Sequence, residues 1–158
     1  MKTHHYKTTI EWTGNTGKHT ANYTAYERAF SIGEVGKYGE ILGSADPAFR
    51  GDKTRYNPEE LLLSAISSCH LLWYLHLCAT HGVMVISYID EAKGVMEENS
   101  TGSGKFTEVI LLPTITVETE NMLQKAKDLH IEAHKMCFIA NSCNFPIKIE
   151  PIVTIYEN

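Results

Sequence analysis

A chain of 158 residues that is 43% apolar and 21% charged has the length and composition of a single domain with a sizeable core. Its formal charge of -5, with no lysine or arginine run to offset it, disfavours nucleic acid and anionic membranes and favours a small substrate. The start Met-Lys-Thr-His-His-Tyr-Lys lacks the apolar core of a signal peptide, and no stretch approaches the roughly 18 apolar residues of a membrane span, so a cytoplasmic protein is expected, its four cysteines free for packing, metal ligation or redox work.

Tyr6, Thr8, Ile10 and Trp12 alternate with polar residues and predict a half-buried strand. The turn-rich run Thr13 to Gly17 leads to a second strand expected near Ala21 to Phe30, making a hairpin. Ser31 to Tyr56 is loop-rich in Gly, Asp and Pro, with a short strand around Glu40 to Leu42.

A strong helix start follows. Asn57 can cap, Pro58 suits the first turn, Glu60 completes a capping box, and Gly82 closes the far end. Its apolar residues, Leu61 to Ile66 and Leu71 to Leu77 among them, cover more than one face, so a central helix buried on most sides is expected. Strands over about Met84 to Glu97 and Lys105 to Glu118 form another hairpin, with Pro113 marking an edge or a bulge. A second helix is expected from Asn121, with Gln124 completing a capping box, to about Ala140, before Pro146. One last strand runs from Ile147 to Ile155. The order implies an α+β fold with an antiparallel-rich sheet and helices packed against it.

Asn57-Pro58-Glu59-Glu60-Leu61-Leu62, with Cys69 ten positions after Glu59, and the later Cys137-Phe138-Ile139-Ala140-Asn141-Ser142 carry a resemblance. Nearly the whole chain resembles the OsmC/Ohr family of osmotically inducible and organic hydroperoxide resistance proteins. The resemblance implies a single OsmC-like domain over residues 1–158, with antiparallel-rich sheets on two long helices in an intertwined homodimer. It implies a thiol peroxidase acting on organic hydroperoxides without a cofactor, reset by an external dithiol, a lipoyl-type one first. It puts the peroxidatic thiol at Cys69, the resolving thiol at Cys137, and an arginine-glutamate pair at Arg50 and Glu59. Arg28 and Arg55 are the next arginines in rank. His70 after Cys69, Phe138 after Cys137, and the extra thiols Cys78 and Cys143 depart from the family pattern and bear on subgroup and substrate preference.

The residue types suit that chemistry. A free thiol is mostly protonated at neutral pH, and a guanidinium favours the thiolate. A carboxylate holds a guanidinium in a bidentate pair. Ten helical residues separate Glu59 from Cys69 by about 15 Å, too far for one guanidinium to touch both, so a site shared between two subunits is expected. The apolar residues around the thiols, Ile66, Leu72, Trp73, Met136, Phe138 and Ile139, point to a hydrophobic mouth suited to alkyl or aryl peroxides. Two rival readings stand beside this one. His130, His134 and Cys137 at i, i+4 and i+7 share a helical face and could ligate zinc, and the same fold could serve as a non-catalytic binder of hydrophobic ligands.

Overall fold

The computed structural model describes residues 1–157 and divides into two compact units, residues 1–62 and the residues from 63 onward. In the first unit, β1 (Thr9–Trp12), β2 (Phe30–Gly33) and β3 (Ile41–Gly43) form an antiparallel sheet in that order. β1 is exposed along its whole length rather than half-buried. β2 begins where the expected second strand ends. Residues 13–29 instead make turns, because short side chains bond the local backbone: Asn22 Oδ1 accepts from Thr24 N at 2.9 Å, and Asn15 Oδ1 from Gly17 N at 2.9 Å. The Trp12 indole closes this long connection by donating to the Glu27 carbonyl at 2.9 Å. Gly43 has to be glycine: a Cβ there would lie 2.2 Å from the Phe30 ring on the neighbouring strand.

The helix α1 (Pro58–Thr80) starts as its sequence demands. Glu60 N donates to Asn57 Oδ1 at 2.8 Å and Asn57 N donates to Glu60 Oε2 at 3.0 Å, the two halves of a capping box. Gly82, with φ of 72°, lets the chain leave, and Val83 N returns to the Cys78 carbonyl at 2.9 Å. Burial on most sides is not found. One stripe at every fourth residue, Ile66, His70, Tyr74 and Cys78, is buried, while Leu72 is 67% exposed and Leu75 37%. By length and composition alone α1 is apolar enough to cross a membrane, although Ser64, Ser67, Ser68, His70 and His76 interrupt its apolar run. Histidine and tyrosine in the buried stripe, and the Ser67 hydroxyl bonded to Asp90, tie α1 into the core of the second unit.

Each long strand expected in the second unit is broken in two. β4 (Val85–Asp90) and β5 (Lys93–Glu98) replace the first, β6 (Gly104–Leu111) and β7 (Pro113–Val117) the second, and β8 (Ile147–Ile149) and β9 (Ile152–Ile155) the last. Two sheets result, ordered β4-β7-β9 and β5-β6-β8. The hairpin pairs are antiparallel, but β8 runs parallel to β6 and β9 parallel to β7. Pro113 therefore opens a central strand rather than marking an edge, and its missing N–H falls at the break. Asp90 anchors that break by accepting from Leu112 N at 2.7 Å, and Pro151 makes the matching interruption in the last strand.

A short 3₁₀ turn, Glu120–Met122, precedes α2 (Leu123–Met136), which has 14 residues rather than the roughly 20 expected. Gln124 makes no cap and pairs instead with Asp128 one turn on. The helix stops at Met136 because Cys137 turns extended (ψ 105°), ahead of a further 3₁₀ turn at Ala140–Ser142. The core of this unit joins Tyr74 and Cys78 of α1, Ala126, Leu129 and Ala133 of α2, and Ile115, Val117 and Val153 of the sheet.

Candidate active site at two apposed thiols

Cys69 lies midway along α1 and Cys137 at the C-terminal cap of α2. Both are free, and the structure sets the Cys69 side chain against the Cys137 thiol although 68 residues separate them. Cys137 is fully buried. Burial and the contact with Cys69 push its thiol up to about 11, while the backbone N–H groups of Ala140 and Ile139 act in the opposite direction. The Ala140 N–H donates to Cys137 Sγ at 3.4 Å, so the 3₁₀ turn after α2 supplies a dipole to this sulfur.

Aromatic side chains flank the pair. Trp73, one helical turn after Cys69, meets Phe138, next in chain to Cys137, edge to face at 5.6 Å. Phe138 is 67% exposed, and Leu72, Trp73 and His76 line a shallow cleft of about 240 Å³. Of the apolar residues expected around the mouth, Ile66 is instead fully buried. Among the extra thiols, Cys78 is buried in the core, and Cys143 donates to the Ile139 carbonyl at 3.3 Å; burial raises both.

The two helices that carry the thiols also share a buried array that the sequence did not announce. His70 Nε2 and His130 Nδ1 are 2.9 Å apart, and both residues are almost fully buried. Tyr74 stacks on His130 with ring centroids 3.9 Å apart, and the outer nitrogens, His70 Nδ1 and His130 Nε2, have no partner among the described residues. Burial and the charge of His134 push His70 down to about 4; burial and then His70 push His130 down to about 3. Both rings are therefore neutral at pH 7. Burial raises the phenols of Tyr74 and Tyr88 well above their ordinary range. His70 and His130 are 60 residues apart, and no local pattern links them.

The zinc reading does not fit this geometry. His130 faces His70, Cys137 has left the helix, and no three His, Cys, Asp or Glu side chains converge as a metal site among the described residues.

In the first unit, Arg50 is an exposed residue in the left-handed region (φ 66°) after the 3₁₀ turn Pro47–Phe49, with its guanidinium 5.9 Å from the Tyr23 ring. Arg28 is held between the Tyr23 and Tyr26 rings and donates to both of their carbonyls, and Arg55 pairs with Asp52 at 3.5 Å. Among the described residues, none of these arginines pairs with Glu59, whose buried Oε2 has no partner within the chain.

Among the described residues the chain is α+β, with two α-helices, three small sheets, and the free cysteines Cys69 and Cys137 side by side. The family model described as OsmC-like protein matches residues 51–151, and the chain belongs to this family. A solved OsmC-like protein of unknown function from Vibrio cholerae O1 biovar eltor is 30% identical with a TM-score of 0.85, covering 95% of this chain and all of that one. An organic hydroperoxide resistance protein from Elizabethkingia anophelis shares the fold at 21% identity and a TM-score of 0.65, covering 99% of this chain and 100% of that one. Another from Legionella pneumophila does so at 13% identity and a TM-score of 0.63, over 94% and 97% of the two chains. No curated protein matches the sequence.

Proposed function

We propose that this protein is a cysteine-based peroxidase that reduces organic hydroperoxides, with Cys69 as the attacking thiol and Cys137 as the resolving one. The observation that carries this reading is the apposition of the two free thiols across 68 residues of chain, in a family with members named for organic hydroperoxide resistance. Their chemistry follows from the asymmetry of the sulfurs. Cys69, half-buried and with an aromatic wall beside it, attacks the terminal peroxide oxygen as a thiolate. An S–O bond forms as O–O breaks, the alkoxide takes a proton and leaves as alcohol, and Cys69 becomes a sulfenic acid. The Cys137 sulfur then displaces water from that sulfenic acid and forms a disulfide. The two thiols supply both protons, so one hydroperoxide yields one alcohol, one water and one disulfide. The high pKa of Cys137 keeps it a thiol until Cys69 has been oxidised. An external dithiol, a lipoyl-type one first, restores the pair in the cytoplasm.

Arg50 and Glu59 enter from a second copy of the chain. Glu59 and Cys69 stand ten residues apart on one continuous helix, about 15 Å along its axis. The unpartnered Glu59 carboxylate oxygen and the outward apolar face of α1, with Leu72 and Leu75 uncovered, support a homodimer in which Arg50, clamped by Glu59, serves the partner's thiol.

Intact-mass measurement after one equivalent of cumene hydroperoxide tests the class of reaction. Wild type should lose two mass units to a Cys69–Cys137 disulfide, Cys137→Ser should gain one oxygen, and Cys69→Ser should not change. Three unchanged masses would overturn the peroxidase reading.

A further inference from the structure

We propose that the buried His70–His130 hydrogen bond is a positioning element that holds Cys137 against Cys69 and thereby sets how readily their disulfide closes. It rests on reading those cysteines as a redox pair. Each imidazole is tied to one thiol through its own helix: His70 follows Cys69 directly on α1, and His130 stands on α2 two turns before the residue that caps it, Cys137. The one hydrogen bond between the two rings, 2.9 Å long, joins the two helices next to Cys69 and two turns before Cys137.

Filling space does not account for such a pair. A buried imidazole gives up its bulk water, and here the two outer nitrogens, His70 Nδ1 and His130 Nε2, find no replacement partner among the described residues. Two apolar side chains of similar volume would pack the same place without that loss. What a hydrogen bond adds is direction. Apolar contact between α1 and α2 tolerates small slides and rotations, whereas an N–H···N bond weakens steeply once its angle departs from linear. Tyr74, stacked on His130 at 3.9 Å with planes 13° apart, removes the remaining freedom of the ring. Rotation of α1 about its axis would carry Cys69 away from Cys137, and a displacement of about 1 Å between reacting groups can lower a rate on the order of a hundredfold.

The atoms used define the test. His70 bonds through Nε2, which a glutamine amide reproduces; His130 bonds through Nδ1, which an asparagine amide reproduces. His70→Gln and His130→Asn should therefore keep the link. His70→Leu and His130→Leu remove it, and His70→Asn leaves the amide one carbon short while remaining polar. The readout is the equilibrium of the Cys69–Cys137 dithiol and disulfide in full-length protein against glutathione buffers, followed by intact mass, with far-UV circular dichroism confirming that each variant is folded.

The leucine variants and His70→Asn should disfavour the disulfide tenfold or more, a rise in potential of about 30 mV per factor of ten. His70→Gln, His130→Asn and their combination should stay within about threefold of wild type. Folded leucine and His70→Asn variants that close as easily as wild type would overturn the inference, as would amide variants that close no better than the leucine ones. So would a wild type that forms no Cys69–Cys137 disulfide in oxidised glutathione. Wild type that forms the disulfide with glutathione but ignores cumene hydroperoxide would sink the peroxidase reading and leave the positioning role intact.

Discussion

Acidification should destabilise this protein through His70 and His130 well before its carboxylates protonate. In the unfolded chain a histidine titrates near 6.5. In the folded protein burial, reinforced by the charges of His134 and the neighbouring ring, holds His70 down to about 4 and His130 lower still. The folded state therefore binds fewer protons, and stability rises with pH across the gap. The contribution is complete above about pH 6.5 and is lost as pH falls from there toward 4. Each histidine costs about 1.4 kcal/mol per pH unit below 6.5, or roughly 2 kcal/mol at pH 5, so the pair removes about 4 kcal/mol between pH 7.5 and pH 5. That is a large share of the 5–15 kcal/mol typical of a domain. Urea denaturation at the two pH values, at one fixed protein concentration because assembly would shift the midpoint, measures the loss. The His70→Gln/His130→Asn double variant keeps a hydrogen-bonded pair that cannot titrate, and it should lose about 4 kcal/mol less than wild type over the same interval. Equal losses would refute the assignment of neutral buried imidazoles.

Other outcomes follow from the same structure. Asn57→Ala removes the acceptor for Glu60 N in the capping box of α1 and should lower stability by about 1 kcal/mol, a fall of about 2–4 °C in Tm by calorimetry. Gly43→Ala drives a methyl into the Phe30 ring and should destabilise by about 1–3 kcal/mol; an unchanged urea midpoint would mean that β2 and β3 do not sit as described. Mixing inactive Cys69→Ser with inactive Arg50→Ala chains should restore up to one working site per heterodimer, and no recovery despite proven subunit exchange would rule out shared sites. The wall of Trp73 and Phe138 should give cumene hydroperoxide a higher kcat/KM than hydrogen peroxide, and Trp73→Ala should narrow that gap severalfold in steady-state assays.

Local chemistry made part of this protein legible residue by residue. The start of α1 was readable because a capping box is a contract among four consecutive residues, Asn57 to Glu60, and Gly82 ends the helix for an equally local reason. Cys69 and Cys137 stood out by their place in motifs. Strand breaks at Glu91–Ala92 and Leu112 were invisible because alternation runs on through them, and they depend on Asp90 reaching the Leu112 N–H across the sheet. The end of α2 was misplaced because Cys137 has no breaker signal of its own; its extended backbone is set by what surrounds it. The exposed faces of α1 follow from a related limit: apolar composition says how much of a helix is apolar but not which faces the fold buries.

By itself, then, the sequence determined the α+β order, the family, the helix start and the two thiols, all properties written within a few neighbouring residues or along one period. Only the tertiary structure decided that Cys69 meets Cys137, that His70 bonds His130, and that both imidazoles are neutral. These are contacts across some sixty to seventy residues of chain, and the titration of a buried group depends on the solvent and charges that the whole fold removes or supplies.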